Sequence, residues 1–237
     1  MTSMGIYYLT RLLVTLLAIP CHEAGHALAS WLMGDPTARN HGRLSLNPLR
    51  HFDLLGTICM VVAGVGWAKP VPTDVRRFKN PKAGMAVTAL AGPAANLILA
   101  YLSMAVWKMV YYWAPANEIS WFATYFLQYM VVMNVGLAVF NLIPVPPLDG
   151  SRVLLVFLPP RLYFGVMRYE KAILVVLLAV VWYGALNGPI NAATNVVWGL
   201  LYDGTGWVDA IASRVVVWDI IRSGIIICRN SVSAVIS

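Results

Sequence analysis

Long apolar runs, rather than alternating apolar and polar positions, dominate the hydrophobic pattern of the chain. About 20 consecutive apolar residues are needed to span a bilayer as a helix. Four runs approach or exceed that length, and a fifth, weaker run either returns across the bilayer or packs on it. In chain order these runs cover residues 5–33, 83–113, 121–143, 172–186 and 190–202.

A shorter apolar run lies between the first two of these helices, at residues 54–66. It is too short to cross a bilayer, so the pattern predicts a re-entrant or interfacial segment. After residue 203 the chain mixes charged residues with Val, Ile and Trp, which is typical of an amphipathic helix at a membrane surface. We therefore divide the chain into a membrane-embedded core, residues 1–203, and an amphipathic or membrane-associated tail, residues 204–237.

The composition agrees with this interpretation. Hydrophobic residues make up 59% of the 237 residues and charged residues only 11%, whereas soluble domains carry about 25% charged residues. We predict an all-α polytopic membrane protein with about five to six membrane segments, including the short one. The net charge of +7 indicates loops that face anionic lipid, and we expect no nucleic-acid partner.

The distribution of positive charge predicts the orientation. The loops between the first two long helices carry eight Lys and Arg residues, and the loop after the third carries four. The loop between the second and third helices, residues 114–120, carries none. By the positive-inside rule the first two regions face the cytoplasm. We therefore expect a multi-pass protein of the cell membrane, with its N-terminus outside and residues 54–66 returning to the cytoplasmic side.

The first long helix contains the sequence CHEAGH, in which His22 and His26 are four residues apart. Residues at this spacing share one face of a helix, so both imidazoles can bind one Zn²⁺. Glu23 can then act as general base on a water that the metal activates. The HExxH pattern also occurs by chance. Ionisable groups inside an apolar helix are costly, however, and indicate a functional site.

A catalytic zinc usually has three protein ligands and one open position, so a third ligand is required. Asp149, in the stretch NLIPVPPLDGSR, follows a proline-broken helix end on the side of the membrane that holds the histidines. Taken alone, Asp149 and Gly150 also fit a common Asp-Gly turn. With HExxH on the same side, we favour ligation. The other carboxylates are less suitable as ligands. Some lie in basic loops, where we expect ion pairing or solvation, and the rest lie beside a lysine, on the opposite side of the membrane or in the tail: Asp35, Asp53, Asp74, Glu118, Glu170, Asp203, Asp209 and Asp219.

Taken together, HEAGH, GPAAN and NLIPVPPLDG resemble the site-2 protease family of intramembrane zinc metallopeptidases. The stretches GRLSLNPLRHFDLLGTI and GWAKPVPTDVRRFKNPKAGM are similar to its compact subgroup, which has no PDZ or CBS domain. The resemblance implies one Zn²⁺ per chain, held by His22, His26 and Asp149, with Glu23 as the catalytic base. It also implies that Asn96 and Asn141 lie near the substrate, although either amide could equally form interhelical hydrogen bonds.

The expected function is therefore regulated intramembrane proteolysis: cleavage of the transmembrane segments of other membrane proteins, toward the cytoplasmic side. The expected partners are a transmembrane protein substrate and the lipid bilayer. The alternative is a divalent-metal transporter or a non-catalytic scaffold that binds transmembrane helices. A transporter would need polar groups through both halves of the bilayer, whereas here the histidines and the acidic candidate cluster near one side.

Overall fold

The computed structural model describes residues 3–63, 68–155, 157–159, 162, 165–166 and 168–215. These residues are mostly helical and contain no β-strand beyond one isolated bridge, which confirms the predicted all-α architecture. The helices are α1 (Ser3–Leu32), α2 (Thr37–Asn40), α3 (Leu54–Ala63), α4 (Pro81–Trp113), α5 (Glu118–Asn141), α6 (Asp149–Leu155), α7 (Glu170–Trp182) and α8 (Asn187–Gly204).

Three helices, α1, α4 and α5, are long and apolar enough to cross a membrane. Helices α7 and α8 are bent by 82° at a short break and qualify as a fourth crossing only as a pair. The bounds of the three long helices agree with the predicted segments, and the two weaker predicted segments fall on α7 and α8. The described residues therefore contain three or four crossings together with the short helix α3.

Helix α3 has the geometry of a segment that enters and returns on one side. It is 10 residues long, and the chain on either side of it is joined by an antiparallel bridge between Phe52 and Ala68. The amide of Lys69 also donates to the carbonyl of His51 at 2.9 Å. Both ends of the segment therefore lie at one level, as the re-entrant interpretation requires. Residues 64–67 lie outside the described part.

Side-chain caps fix where the two central helices begin. Asn80 accepts a hydrogen bond from the amide of Ala83, and Pro81 occupies the first helical position of α4. Asn117 accepts from the amide of Ser120 at the start of α5. Asparagine before a helix satisfies an amide that has no intrahelical partner, and proline fits the first turn. The cap at Asn80 fixes the residue at which α4 begins, and so which residues of α4 lie beside α1.

Helix α4 packs between α1 and α5. A Cβ built on Gly25 of α1 would lie 2.7 Å from the carbonyl oxygen of Ala91 and 2.9 Å from the Cβ of Ala95, so the two backbones are in close contact. Small residues allow helices to approach in this way in membranes. On the other side of α4, a buried cluster of Ala100, Met104, Val131 and Val135 packs against α8.

The first part of the predicted tail is attached to the core. Residues 206–215 are helical, and Val208 and Ala212 within them are buried. The indole of Trp207 donates to the hydroxyl of Tyr101 on α4 at 3.1 Å. Residues 204–215 therefore pack along α4, while residues 216–237 of the predicted tail lie outside the described part.

Candidate metal centre

Two turns of α1 and the first residue of α6 bring three potential ligands together. The Nε2 atoms of His22 and His26 are 3.0 Å apart. Oδ2 of Asp149 lies 3.2 Å from each of them. All three side chains are largely buried. The structure thus places the three residues that were predicted as metal ligands around one point.

The chemistry of these donors fits a cation. Nδ1 of His26 lies 2.7 Å from the carbonyl oxygen of Thr88, and because a carbonyl only accepts, the hydrogen-bond network assigns the proton to Nδ1. In the neutral ring Nε2 then carries a lone pair, directed at another imidazole and a carboxylate. Ligand atoms of a tetrahedral zinc lie roughly 3.3 Å apart, given bonds of about 2.0–2.1 Å. The observed separations of 3.0 to 3.2 Å are close to that value.

Helix α4 shapes the other side of the histidines. A Cβ built on Gly92 would collide with Nε2 of His26 and would lie 2.7 Å from Cε1 of His22. The hydrogen bond from His26 to Thr88 comes from the preceding turn of the same helix. Helix α4 therefore both orients one imidazole and leaves space for the pair.

A break in the chain after α5 positions Asp149. Helix α5 ends at Asn141, and the proline-rich segment that follows turns the chain into α6. A Cβ on Gly150 would collide with the carbonyl oxygen of Leu142, so only glycine permits this turn. The hydroxyl of Ser151 donates to the carbonyl of Leu148 at 2.7 Å and ties the start of α6 to the turn. Asp149 is thus held at a helix start rather than on a mobile surface turn.

A cavity of about 270 Å³ surrounds the cluster. Glu23 and Asn141, two of the predicted site residues, line it together with the three potential ligands. Its wall also includes residues of the non-helical segment 68–73, the carboxyl end of α5 and the middle of α7. Other residues that line the cavity are Ala68, Pro70, Val71, Thr73, Thr88, Arg152, Leu174 and Leu177.

The two predicted asparagines occupy different places. The amide nitrogen of Asn141 donates to the carbonyl of Leu137 at 2.9 Å, and the residue lines the cavity. Asn96 is fully buried in α4 and is not among the residues that line the cavity. Within the described residues neither of its amide atoms has a hydrogen-bond partner. The structure therefore brings Asn141, but not Asn96, to the candidate site.

The carboxylates of the loops between α1 and α4 have structural partners. Asp35 is fully buried, contrary to the expectation of ion pairing or solvation, and accepts hydrogen bonds from Ser30, Thr37 and the amide of Asp74. Burial alone would raise the pKa of Asp35, but these hydrogen bonds outweigh it and hold the pKa below its usual range. The pKa of Asp74 is also lowered, chiefly by hydrogen bonds from Arg76.

Sequence reasoning did not single out three residues of this region. Gly92 belongs to the GPAAN stretch, and Arg152 follows Asp149 by one helical turn. Thr88 contributes its backbone carbonyl, which has no signal in the sequence. His51, which the sequence analysis did not assign to the site, is fully buried, and its Nε2 lies 2.7 Å from the carbonyl oxygen of Ser45.

Comparison with known proteins gives one family. Residues 10–184 match the model of Peptidase family M50. The chain is 39% identical over 153 residues to "Putative zinc metalloprotease YwhC" of Bacillus subtilis, a match that covers 63% of this chain and 69% of that protein. It is 32% identical over 151 residues to "Putative zinc metalloprotease Rip2" of Mycolicibacterium smegmatis, covering 62% and 56%. The Mycobacterium tuberculosis protein of the same name is 30% identical over 177 residues, covering 73% and 66%. No solved structure matches the chain.

Proposed function

The chain belongs to peptidase family M50, and from this premise we propose that it cleaves transmembrane segments of other membrane proteins within the bilayer. It is a membrane protein and a zinc metalloendopeptidase of the site-2 protease type. The proposal concerns its substrate class, the roles of individual residues and the place where cleavage occurs.

One observation carries the proposal: His22, His26 and Asp149 meet in a cavity that Glu23 also lines, between helices that are apolar enough to cross a membrane. Metal-assisted hydrolysis requires a set of metal ligands and an acid–base group in the same cavity. The cavity wall is largely apolar elsewhere, with residues such as Leu174 and Leu177. An apolar wall suits a substrate that arrives from lipid.

We assign the metal to Nε2 of His22, Nε2 of His26 and a carboxylate oxygen of Asp149. In such a site zinc supplies Lewis-acid activation of water, lowering its pKa toward about 7. The hydrogen bond from Nδ1 of His26 to Thr88 fixes the ring orientation, as groups behind zinc-bound histidines commonly do. All three assigned ligands line the same cavity as Glu23.

Glu23 moves the proton in this scheme. It takes a proton from water as the water oxygen bonds to the scissile carbonyl carbon, and returns it to the amine nitrogen as the C–N bond breaks. The peptide must be unwound locally, because the amides of an intact helix bond to one another. Asn141 and the non-helical segment 68–73 line the cavity, and we assign contact with the unwound substrate to them.

We further propose that the site faces the cytoplasmic half of a cell membrane. The loops between α1 and α4 hold seven Lys and Arg residues, and an eighth, Lys82, lies in the first turn of α4; the loop between α4 and α5 holds none, which supports this orientation by the positive-inside rule. His26 contacts Thr88, in the second turn of α4 after its start at Pro81. The cluster is therefore close to the positively charged loops.

The test compares wild-type protein with Glu23→Gln. In cells, fragments of membrane proteins that depend on the enzyme should disappear with Glu23→Gln, and membrane proteomics would also reveal the substrate. Purified Glu23→Gln should keep its zinc, because Glu23 is not assigned as a ligand. His22→Ala and Asp149→Ala should lose zinc instead, as measured by metal analysis of the purified protein.

Full cleavage by Glu23→Gln would remove the base from the mechanism. Unchanged zinc content in His22→Ala or Asp149→Ala would remove that residue from the ligand set. A matched control is Glu118→Gln, at the start of α5 and away from the cavity, which should leave both zinc and cleavage unchanged. Metal uptake by proteoliposomes without peptide cleavage would favour the transporter alternative.

A further inference from the structure

Arg152 occupies the wall of the cavity beside the candidate ligands. It lies three residues after Asp149 on α6, and residues at that spacing share one helix face. Both line the cavity that contains His22, His26 and Glu23. Among the described lining residues, Arg152 is the only arginine or lysine. Its side chain is half-buried.

The guanidinium of Arg152 has no hydrogen-bond or ion-pair partner within the residues that the structure describes. The arginines of the cytoplasmic loops differ, because Arg43 and Arg50 donate to backbone carbonyls and Arg76 pairs with Asp74. Asp149 directs its carboxylate at the histidines rather than at Arg152.

A partly desolvated cation without a partner is unfavourable. Its position in the wall of a reaction cavity therefore indicates a partner that arrives with the substrate. The guanidinium offers five N–H donors in a planar fork that matches oxygen anions. Peptide hydrolysis produces such an oxygen, because the electron pair of the carbonyl moves onto its oxygen when water adds to the carbon.

We propose that Arg152 donates hydrogen bonds to the scissile carbonyl oxygen as that oxygen becomes an oxyanion. The inference rests on the function proposed above. The oxyanion forms as the water oxygen bonds to the carbonyl carbon and gives its proton to Glu23. It collapses to the product acid as the C–N bond breaks and the amine takes that proton. A donor aimed at charge that exists only along this path lowers the barrier without strengthening ground-state binding.

The first test separates turnover from binding. Arg152→Gln and Arg152→Lys are assayed in proteoliposomes on a transmembrane reporter that wild-type protein cleaves and Glu23→Gln does not. Arg152→Gln should lower kcat by about 10²-fold, the effect of losing an oxyanion donor, while KM changes by less than about threefold. Arg152→Lys should retain an intermediate kcat, because it keeps the charge but not the fork.

Three further measurements exclude a structural role. Zinc content and thermal stability of Arg152→Gln should equal those of wild type, and Arg168→Gln, which changes an exposed arginine outside the cavity lining, should leave kcat unchanged. Added guanidinium ion should restore part of the activity of Arg152→Ala. A loss of zinc that accounts for the lost activity, or a rise in KM alone, would overturn the proposal.

The second test needs no turnover. A capped phosphinic analogue of Leu-Leu carries a tetrahedral anionic centre in place of the scissile carbonyl, and its affinity is measured by calorimetry with zinc-loaded Glu23→Gln protein. Adding Arg152→Gln to this background should weaken binding by at least about tenfold. Equal dissociation constants would overturn the role of Arg152. Full reporter cleavage by Glu23→Gln would instead count against the proposed function, so the two failures are distinguishable.

Discussion

At the scale of single residues, Gly92 sets a tight steric limit on the candidate metal centre. It belongs to α4, yet a Cβ at this position would collide with Nε2 of His26 and contact Cε1 of His22 at 2.7 Å. The two imidazoles can converge with Asp149 only if α4 has no side chain here. The absence of one methyl group in α4 therefore controls ligand geometry in α1.

Gly92→Ala should disturb the metal centre while leaving the helices intact. We expect zinc affinity to fall by about 10- to 100-fold, as when groups behind metal ligands are changed, and proteolysis to fall with it. Zinc titration with a competing chelator measures the affinity, and thermal unfolding in detergent shows whether the helices remain intact.

Gly136→Ala is the matched control for Gly92→Ala. It makes the same change on α5, where a Cβ would meet no atom within 4 Å. Both variants receive the same gain in helix propensity, so only a collision with the histidines distinguishes them. Wild-type zinc affinity in Gly92→Ala would contradict this account of the site.

The sequence predicted the potential ligands better than their supports. His22 and His26 are found from a local spacing, since one turn of a helix brings them together. Asp149 followed from the proline-broken stretch and its side of the membrane, and the structure places it 3.2 Å from both histidines. Thr88 and Gly92 act across an interhelical contact, whose register no local pattern specifies, so their contributions could only be seen in three dimensions.

At the scale of elements, a buried ion pair fastens the C-terminal helical segment to α4. The side chain of Lys108 is 3% exposed and pairs with Asp209, whose side chain is 31% exposed. Lys108 also donates to the carbonyl of Tyr202 at 2.9 Å, and Tyr112 donates to the other oxygen of Asp209 at 2.9 Å. A buried lysine in a membrane helix needs a counter-charge. Residues 206–215 supply that charge to α4 and are therefore part of the packed core.

Asp209→Asn should destabilise the protein by about 2–4 kcal/mol, because it leaves the charge of Lys108 buried without compensation. Asp203→Asn, which changes an exposed acid on α8, is the matched control and should have little effect. The double variant Lys108→Met, Asp209→Leu should recover most of the loss, since it removes both charges. Thermal unfolding of the detergent-solubilised protein distinguishes these outcomes; no recovery in the double variant would argue against charge burial as the cause.

The turn after α1 depends on Asp35 in its ionised form. Hydrogen bonds from Ser30, Thr37 and the amide of Asp74 converge on this carboxylate and lower its pKa although burial opposes them. A carboxylate with a lowered pKa stabilises the fold above its unfolded value of about 4, and this contribution is lost as pH falls through the folded value.

Asp35→Asn should therefore lower the free energy of unfolding most at pH 6 to 7, on the order of 1–2 kcal/mol. Its difference from wild type should shrink as the pH is lowered below about 4. Unfolding by denaturant at a series of pH values measures this difference directly. A difference that is constant with pH would show that ionisation of Asp35 does not contribute.

At the scale of the whole molecule, the sequence predicted the helices more reliably than the way in which they combine. Composition and run length are sufficient for α1, α4 and α5, because about 20 apolar residues in series leave few alternatives in lipid. They do not specify that α7 and α8 meet at 82°, since a bend depends on packing against neighbours. Nor do they specify that residues 206–215 pack on α4, because those contacts are between residues about a hundred positions apart.

Orientation in the membrane follows from charge and can be tested on the intact chain. Moving Lys or Arg across the membrane during insertion is unfavourable, so the seven basic residues between α1 and α4, together with Lys82 in the first turn of α4, should hold that region in the cytoplasm. The turn between α4 and α5 should then face outward, about the length of α4 away. Both regions offer exposed positions, Leu49 in the first and Ala116 in the second.

Single cysteines at these two positions, in a background with Cys21, Cys59 and Cys228 changed to alanine, report the orientation. A membrane-impermeant maleimide should label Ala116→Cys in intact spheroplasts and Leu49→Cys only after permeabilisation. Because His26 contacts Thr88 near the start of α4, this result would place the metal centre in the cytoplasmic half of the bilayer. The reverse labelling pattern would place it in the outer half, and the proposed cytoplasmic position of the site would then have to be abandoned.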